Sequence, residues 1–464
     1  MVRKITNIKS IQLEELLEKE SIMKLLIKYS IPSIIGMLVS ALYNVVDRIF
    51  IGNIKDIGAI AITGIGVTLP FTTILIAFNM LLGVGATANI SIKLGKGERK
   101  SAELIIGNSL SLSILLGGIL TLVGFIFCDE ILMIFGASLE SLVYAREYMR
   151  IILLGNIFNI AGHVLNSTIR TDGSPKAAAI IMILSCLLNF ILDPLFIFKF
   201  NMGISGAAYA TVLSQILTLF LSLKYYLSHH SSLKIKKENL KINLKIIKVI
   251  MSIGFSPFIM QIATCIIQVV NNNVLKNYGG DYAIGAMATI NGIFLLCLMP
   301  VFGITQGAQP IIGYNYGAKN YKRVEETHDK SRNAGVVLLA LAFIIIQIFP
   351  ESIIRTFTTD PLIGDIAISG LRIYTLFMPM IAVGMIGCQF FQAIGKAKVA
   401  LFLSLLRQVV LLLPILFVFS KFFGVKGVWL AQCISDLFAA SIIGYFAKKQ
   451  FEKFREINSS GTIN

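Results

Sequence analysis

The sequence predicts an all-α polytopic membrane protein, with twelve transmembrane helices in two pseudo-symmetric six-helix bundles. Its composition points to this class, because 56% of the 464 residues are hydrophobic and only 14% are charged. The apolar residues also fall in blocks of about 20, the length that crosses a bilayer as a helix. An ordinary soluble domain carries about 25% charged residues. A soluble enzyme and a disordered chain are therefore excluded.

Twelve apolar runs are interpreted as spans, since a helix of about 20 residues crosses the hydrocarbon core. The runs cover residues 29–51, 57–82, 104–127, 142–166, 176–198, 204–227, 246–275, 282–300, 334–349, 363–392, 399–419 and 425–447. They predict five segments along the chain. These are an N-terminal segment 1–28, a first bundle 29–227, a linker 228–245, a second bundle 246–447 and a tail 448–464.

Basic residues are distributed unequally between the two sides of the predicted membrane. Thirty of the 41 Lys and Arg residues lie in the N-terminal segment, the linker, the tail and the loops on the same side, and ten lie on the other side. Loops rich in Lys and Arg remain cytoplasmic, so both termini are predicted to be cytoplasmic. The net charge of +16 is explained by this orientation, and no nucleic-acid partner is predicted.

The sequence contains no pattern for a resident cofactor or metal. The six cysteines are isolated and no CxxC spacing occurs, which predicts neither a disulfide framework nor a metal site. No Gly-x-x-x-x-Gly-Lys-Ser/Thr motif is present, so ATP is not predicted to be the direct energy source.

The two halves of the chain resemble each other. Six residues recur 222 positions later, and three more recur after a slip of one residue. The pairs are Gly85/Gly307, Gly95/Gly317, Lys100/Lys322, Glu103/Glu325, Gly173/Gly395, Lys176/Lys398, Gly203/Gly424, Gly206/Gly427 and Ala210/Ala431. Each half holds six spans, and internal repeats of this kind are typical of secondary transporters.

Two acidic residues within predicted spans are the main candidates for function. Asp47 lies in span 1, and Asp193 lies in span 5 one helical turn after Asn189. A carboxylate at mid-membrane costs at least about 2.5 kcal/mol, so few are tolerated there. Two converging carboxylates and an amide predict a site for one H+ or one Na+. In the alternative interpretation, Asp47 pairs with Arg48 and Asp193 only caps a bend.

The second half lacks these acids, because Asn272 stands where Asp47 would repeat. Ion coupling is therefore expected in the N-terminal half. The C-terminal half offers amides that suit either a substrate pocket or contacts between helices. The candidates are Gln261, Asn272, Gln306 and Gln309.

Three further polar residues lie within predicted spans. His163 is interpreted either as a proton relay or as a packed core histidine. Arg407 in span 11 is expected to form a structural ion pair with Asp436 in span 12.

At these positions the chain resembles bacterial members of the MATE (multidrug and toxic compound extrusion) family. The resemblance rests on Ile31-Pro32-Ser33 with Tyr43-Asn44-Val45-Val46-Asp47, and on Arg170-Thr171-Asp172-Gly173 before Asn189-Phe190-Ile191-Leu192-Asp193-Pro194. The most specific motif is Gln306-Gly307-Ala308-Gln309-Pro310-Ile311-Ile312-Gly313-Tyr314-Asn315-Tyr316-Gly317. The similarity covers about residues 20 to 450.

The resemblance implies two bundles in a V around a central cleft, in a monomer of the bacterial cytoplasmic (inner) membrane. It implies an antiporter, not an enzyme, that exports bulky and often cationic drugs and dyes as H+ or Na+ enters. The family's coupling site maps onto Asp47, Asn189, Asp193 and Thr211. The polar residue that the family uses in span 4 maps onto Asn159, His163 or Asn166, of which His163 and Asn166 are kept as substrate-binding candidates.

Three other functions fit the sequence less well. A flippase for lipid-linked sugars, of related architecture, needs a strongly basic cleft for pyrophosphate, whereas few bases lie within the predicted spans, Arg48 and Arg407 among them. A membrane-embedded transferase needs a catalytic cluster at one interface, and none is apparent in the sequence. A channel or receptor is disfavoured by the six-span repeat with unequal acids.

Overall fold

The computed structural model describes residues 15–54, 58–229, 231–358 and 360–459, and every regular element within these ranges is a helix. The predicted all-α class is therefore confirmed. Parts of all five predicted segments lie outside the described residues. They are residues 1–14 of the N-terminal segment, residues 55–57 of the first bundle, residue 230 of the linker, residue 359 of the second bundle and residues 460–464 of the tail.

The first six spans appear as helices α1 to α6. They are α1 Ile22–Gly52, α2 Gly58–Gly95, α3 Arg99–Ile126, α4 Leu139–Thr171, α5 Pro175–Pro194 and α6 Gly203–Leu227. Local sequence sets several of the ends. Ser138 and Ser141 form a reciprocal cap at the start of α4, and Pro175 occupies the first turn of α5, where its missing N–H is not needed. After Pro194, α5 continues as a π-helical turn, Leu195–Lys199.

The next two spans, α7 and α8, form the continuous stretch Leu244–Gly317, whose backbone is non-helical at Gly280. Its 74 residues would extend roughly 110 Å as one straight helix, far beyond the roughly 30 Å hydrocarbon core. The stretch therefore makes two spans that meet at Gly280.

The last four spans are α9 to α12, and α10 is made of two helices that bend by 57°. They are α9 Tyr321–Ile348, α10 Pro361–Tyr374 with Met378–Ala393, α11 Ala397–Phe423 and α12 Val425–Ser459. Ten helices in the described ranges are long and apolar enough to cross a membrane. The bent pair adds one span and the break at Gly280 adds another, which gives the twelve that the sequence predicts.

The helices pack into two compact units. The N-terminal unit contains residues 15–20 and Ile35–Phe258, and the C-terminal unit contains Ser21–Ile34 and residues 259–459. The boundaries thus fall inside α1 and α7, not in the linker. The bundle limits of 29–227 and 246–447 remain a prediction. In the N-terminal unit, α4 packs against α2, α3 and α6 and is the most buried of the described spans.

The repeat in sequence is also a repeat in backbone conformation. Gly173 and its counterpart Gly395 follow α4 and α10 with φ of 87° and 75°. Gly97, after α2, has φ of 71°, and Lys319 occupies the corresponding place after α8 with φ of 59°. The left-handed region favours glycine, so three of these four turns carry the residue that their conformation requires.

The linker is bound firmly to the N-terminal unit through Asp172. Its Oδ2 accepts hydrogen bonds from Tyr225 Oη (2.7 Å), Ser231 Oγ (2.8 Å) and Ser232 N (3.0 Å). Its Oδ1 accepts from Leu233 N (2.9 Å) and from Ser232 Oγ. Burial raises the pKa of the Asp172 carboxyl above its ordinary value, although the hydrogen bonds act in the opposite direction. The described residues of the linker are therefore part of this unit.

Glu103 and its repeat counterpart Glu325 each form an ion pair with the segment that follows six spans. These segments are the linker and the tail. Glu103 forms an ion pair with Lys236 of the linker at 2.7 Å, and Glu325 forms one with Arg455 near the end of α12. Because each ion pair includes an exposed base, it adds little stability by itself and mainly fixes position.

Candidate cation-binding site

Two carboxyl groups of the N-terminal unit meet at the end of α5. Asp193 is 0% exposed, and its carboxyl group lies within hydrogen-bonding reach of the half-buried carboxyl group of Asp47 on α1. Two like charges held close together away from water oppose each other, which favours a bound proton or metal cation between them. The structure therefore brings together the two acids that the sequence singles out.

Asn189 and Thr211 complete the group around Asp193. Asn189 is 1% exposed. Both ends of its amide form hydrogen bonds when the nitrogen faces the Asp193 carboxylate. In that orientation Asn189 Nδ2 donates to Asp193 Oδ2 at 2.8 Å, and Thr211 N donates to Asn189 Oδ1 at 3.0 Å. All four residues that the resemblance assigns to ion coupling thus lie in one unit, on α1, α5 and α6.

One oxygen atom of this group has no hydrogen-bond donor among the described residues. Asp193 Oδ1 is buried and accepts no hydrogen bond from the described residues. A buried carboxylate oxygen without a donor is costly unless it is protonated or contacts a cation. Two carboxylates, an amide and a hydroxyl are oxygen-bearing groups that are able to hold H+ or Na+.

Tyr43 also belongs to this group, although the sequence did not single it out as a site residue. Its hydroxyl lies 3.4 Å from Thr211 Oγ1, and either oxygen is able to donate. Tyr43 precedes Asp47 by four residues, so the two share a face of α1. That spacing was the signal that could have identified it.

The two span-4 candidates occupy different surroundings. Asn166 is buried, and its Nδ2 donates to Ala178 O at 3.0 Å, which joins α4 to α5. His163 is exposed and faces Gly83 of α2. Neither has a hydrogen bond to Asp47 or Asp193 among those found for the described side chains.

The four amide candidates all lie in the C-terminal unit. Gln261 is half-buried and Asn272 is exposed on α7, whereas Gln306 is half-buried and Gln309 is buried on α8. Their role in substrate binding remains a prediction.

One ion pair was expected from the sequence, and a second was considered as an alternative. Arg407 Nε donates to Asp436 Oδ1 at 2.9 Å, which confirms the predicted pair between α11 and α12. Arg407 lies in a π-helical stretch, Leu406–Leu412, within α11. The alternative pairing of Asp47 with Arg48 is not tested, because the Arg48 side chain lies outside the described part of the chain.

Comparison with known families identifies both halves of the chain separately. The model of the MatE family matches residues 32–195 and again residues 257–418. The two matches begin 225 positions apart, which is the separation of Asp47 from Asn272 and is close to the 222 positions between most other repeated pairs.

Curated relatives and solved structures match almost the whole chain. The multidrug export protein MepA of Staphylococcus aureus (strain MRSA252) is 29% identical over 437 residues, covering 93% of this chain and 95% of MepA. MepA of Staphylococcus haemolyticus is 29% identical over 91% of this chain and 92% of its own length.

A solved outward-facing multidrug resistance MATE family transporter of the MOP superfamily is 26% identical, with a TM-score of 0.90 over 96% of this chain and 99% of that one. A MOP superfamily transporter from Pyrococcus furiosus has the same identity and TM-score, over 95% of this chain and 98% of its own. With both halves matched by the family model and the fold shared along nearly all of its length, the chain belongs to the MatE family of membrane transporters.

Proposed function

We propose that this chain is a secondary active efflux antiporter of the bacterial cytoplasmic membrane, which exports bulky and often cationic drugs in exchange for H+ or Na+. Relatives named multidrug export proteins, similar along 93% of the chain, support the drug-export part of the proposal. The observation that carries the coupling part is the fully buried Asp193 beside Asp47, with one oxygen that the described residues leave without a donor.

The proposed cycle is alternating access. The drug enters from the cytoplasm or the inner leaflet, and a conformational change exposes it to the outside. A cation then binds at Asp47 and Asp193 and favours drug release, because only a bound cation removes the repulsion between the two carboxylates. The return step carries the cation inward.

The energy available from one cation depends on the charge of the drug. One net inward charge yields about 2.3 kcal/mol per 100 mV of membrane potential. Since about 1.36 kcal/mol corresponds to a tenfold ratio, one cation exchanged for a neutral drug supports a concentration ratio of about fiftyfold at 100 mV. One cation exchanged for a monovalent cationic drug moves no net charge, so the concentration gradient of the ion then supplies the energy.

The test is transport of ethidium in vesicles that contain the purified protein, driven separately by a pH gradient and by a Na+ gradient. The wild type is expected to respond to one of the two gradients. Asp193→Asn and Asp47→Asn are expected to abolish that response, because an amide keeps the shape of the side chain but binds neither ion strongly.

The matched control is Asp281→Asn, which removes an exposed acid beside the break between α7 and α8. It should transport as the wild type does. If Asp193→Asn still responds to the same gradient with wild-type strength, the assignment of the coupling site is wrong. If the wild type transports no ethidium under either gradient, the proposal of drug export is contradicted.

A further inference from the structure

The end of the linker lies against α3 at a depth that belongs to the predicted membrane. Asn108 Nδ2 of α3 donates to Asn239 O at 3.2 Å, and Ser111 Oγ donates to Leu240 O at 2.7 Å. Ser111 lies seven residues beyond residue 104, where span 3 is predicted to begin, which is roughly 10 Å along the helix. This part of the linker is therefore expected within the membrane surface layer and not in the aqueous phase.

The side of the linker that faces α3 has partners for its polar groups. Asn108 is 0% exposed, and its Oδ1 also accepts a hydrogen bond from Asn243 N at 2.7 Å. Gly107 lets the two backbones approach, because a Cβ there would lie 2.4 Å from Asn239 O. Irregular backbone at membrane depth is tolerated where the protein supplies such partners. The contact with α3 thus fixes the depth of the linker.

The exposed side chains at the end of the linker and the start of α7 are basic or strongly apolar. Five of them form what we call the linker surface: Lys241, Ile242, Leu244, Lys245 and Lys248. Ile242 is 49% exposed and Leu244 is 71% exposed. None of the three lysines forms an ion pair with an acid in the part of the chain that the structure describes. The surface therefore combines three positive charges with two large apolar side chains.

Along the exposed face of α7, the side chains change from basic to apolar. Lys245 and Lys248 lie near its start, and Val249 and Phe255, which are each 43% exposed, follow toward the middle of the span. Lys248 and Phe255 are seven residues apart and therefore lie on one helix face. Since a lysine keeps its charged head in the polar layer while its stem covers apolar surface, this order matches a headgroup layer followed by the hydrocarbon core.

We propose that the linker surface binds the headgroups of anionic phospholipids in the leaflet that is predicted to be cytoplasmic. The three ammonium groups attract the lipid phosphates, and the side chains of Ile242 and Leu244 contact the acyl chains. Basic segments next to a span are attracted to anionic lipids, whereas a zwitterionic headgroup carries an ammonium group that offsets its phosphate. The linker surface is separate from the acid pair, and its lipid preference does not depend on the exported drug or on the coupling ion.

The test is quenching of tryptophan fluorescence by brominated lipids in vesicles that contain the full-length protein. Leu244→Trp places a reporter in the linker surface, and the wild type, whose one tryptophan is Trp429, gives the background signal. Brominated phosphatidylglycerol is expected to quench the reporter with an association constant about fivefold that of brominated phosphatidylcholine, the effect of one lysine near an anionic headgroup. Salt at about 1 M should remove most of this preference, since it screens exposed charges beyond about 3 Å.

A triple variant in the reporter protein tests which charges produce the preference. Lys241→Gln/Lys245→Gln/Lys248→Gln should leave the two brominated lipids with nearly equal association constants. Because the three lysines are exposed and form no ion pair with a described acid, we expect the variant to fold as the wild type does. The salt measurement tests the same charges without any lysine substitution.

The matched control is Lys448→Gln/Lys449→Gln/Lys453→Gln, which removes three exposed lysines of α12 and should keep the preference of about fivefold. The proposal is overturned if the two brominated lipids quench the reporter equally, or if neither lipid quenches it. It is also overturned if the triple variant of the linker surface keeps the preference, or if the control loses it.

Discussion

Asp193 and Arg407 are both charged residues within spans, but their surroundings give them different roles. Arg407 donates to Asp436, whose second oxygen accepts from Gln432 Nε2 at 3.0 Å. Ser435 Oγ donates to the Arg407 carbonyl oxygen at 2.9 Å. That pair is neutral as a whole and its carboxylate is satisfied, whereas Asp193 faces a second acid. The first arrangement is a satisfied ion pair, and the second leaves two acids facing each other.

Breaking the Arg407–Asp436 pair from one side should destabilise the protein strongly. Arg407→Met and Asp436→Asn should each lower the free energy of unfolding by about 3–5 kcal/mol, because the remaining polar group stays buried without its partner. The double variant Arg407→Met/Asp436→Leu should recover most of the loss. Thermal unfolding in detergent measures the effect, and single variants as stable as wild type would show that the pair is not structural.

The turns after α2, α4, α8 and α10 have the same backbone conformation in the two halves of the chain. At three of them glycine adopts a positive φ without penalty, while Lys319 adopts the same conformation with a side chain. For a residue with a Cβ the left-handed region costs roughly 1–2 kcal/mol. The turn after α8 therefore has the same conformation as the turn after α2, but lysine occupies the position that glycine best suits.

Substitutions at these turns should change the free energy of unfolding in opposite directions. Gly173→Ala should lower the free energy of unfolding by about 1 kcal/mol, and Lys319→Gly should leave it unchanged or raise it by up to about 1 kcal/mol. Gly444→Ala is the control, because Gly444 is helical with open space at its Cβ position and alanine is the better helix former. Unfolding temperatures in one detergent give the comparison, and equal losses for Gly173→Ala and Lys319→Gly would contradict this explanation.

Across the whole molecule, the two compact units do not coincide with the two sequence repeats. The first turns of α7 belong to the N-terminal unit, and the start of α1 belongs to the C-terminal unit. Glycines allow these close contacts. A Cβ at Gly85 would lie 2.2 Å from Ile250 O in the N-terminal unit, and one at its repeat counterpart Gly307 would lie 2.7 Å from Ser30 N in the C-terminal unit.

The contact between α2 and α7 should therefore tolerate no side chain. A Cβ at Gly254 would lie 1.7 Å from Leu81 O, and a backbone atom cannot move aside as a side chain does. Gly254→Ala and Gly85→Ala should each destabilise the protein by about 1–3 kcal/mol, the usual range for overpacking. Gly444→Ala again serves as the control. Unfolding temperatures and protease sensitivity of the linker would both respond, and stability equal to the control would disprove the close contact.

The sequence by itself determined the membrane class, the twelve spans, the repeat and the acids of the candidate site. These properties depend on local hydropathy, on the rarity of charges in spans and on residue spacing, and all three can be read from the order of the residues. The same logic paired Arg407 with Asp436 correctly, because two opposite charges within spans have few other partners.

Only the tertiary structure decided which groups surround each charge and which helices share a unit. It placed Tyr43 beside Thr211 in the candidate site, showed that the linker is held by Asp172 and showed that Arg170 lies buried within α4. The physical reason is that burial of a polar group depends on atoms far away in sequence. A hydropathy pattern assigns an arginine at the end of an apolar run to a loop. In this protein α4 packs against α2, α3 and α6 and continues beyond the end of the apolar run.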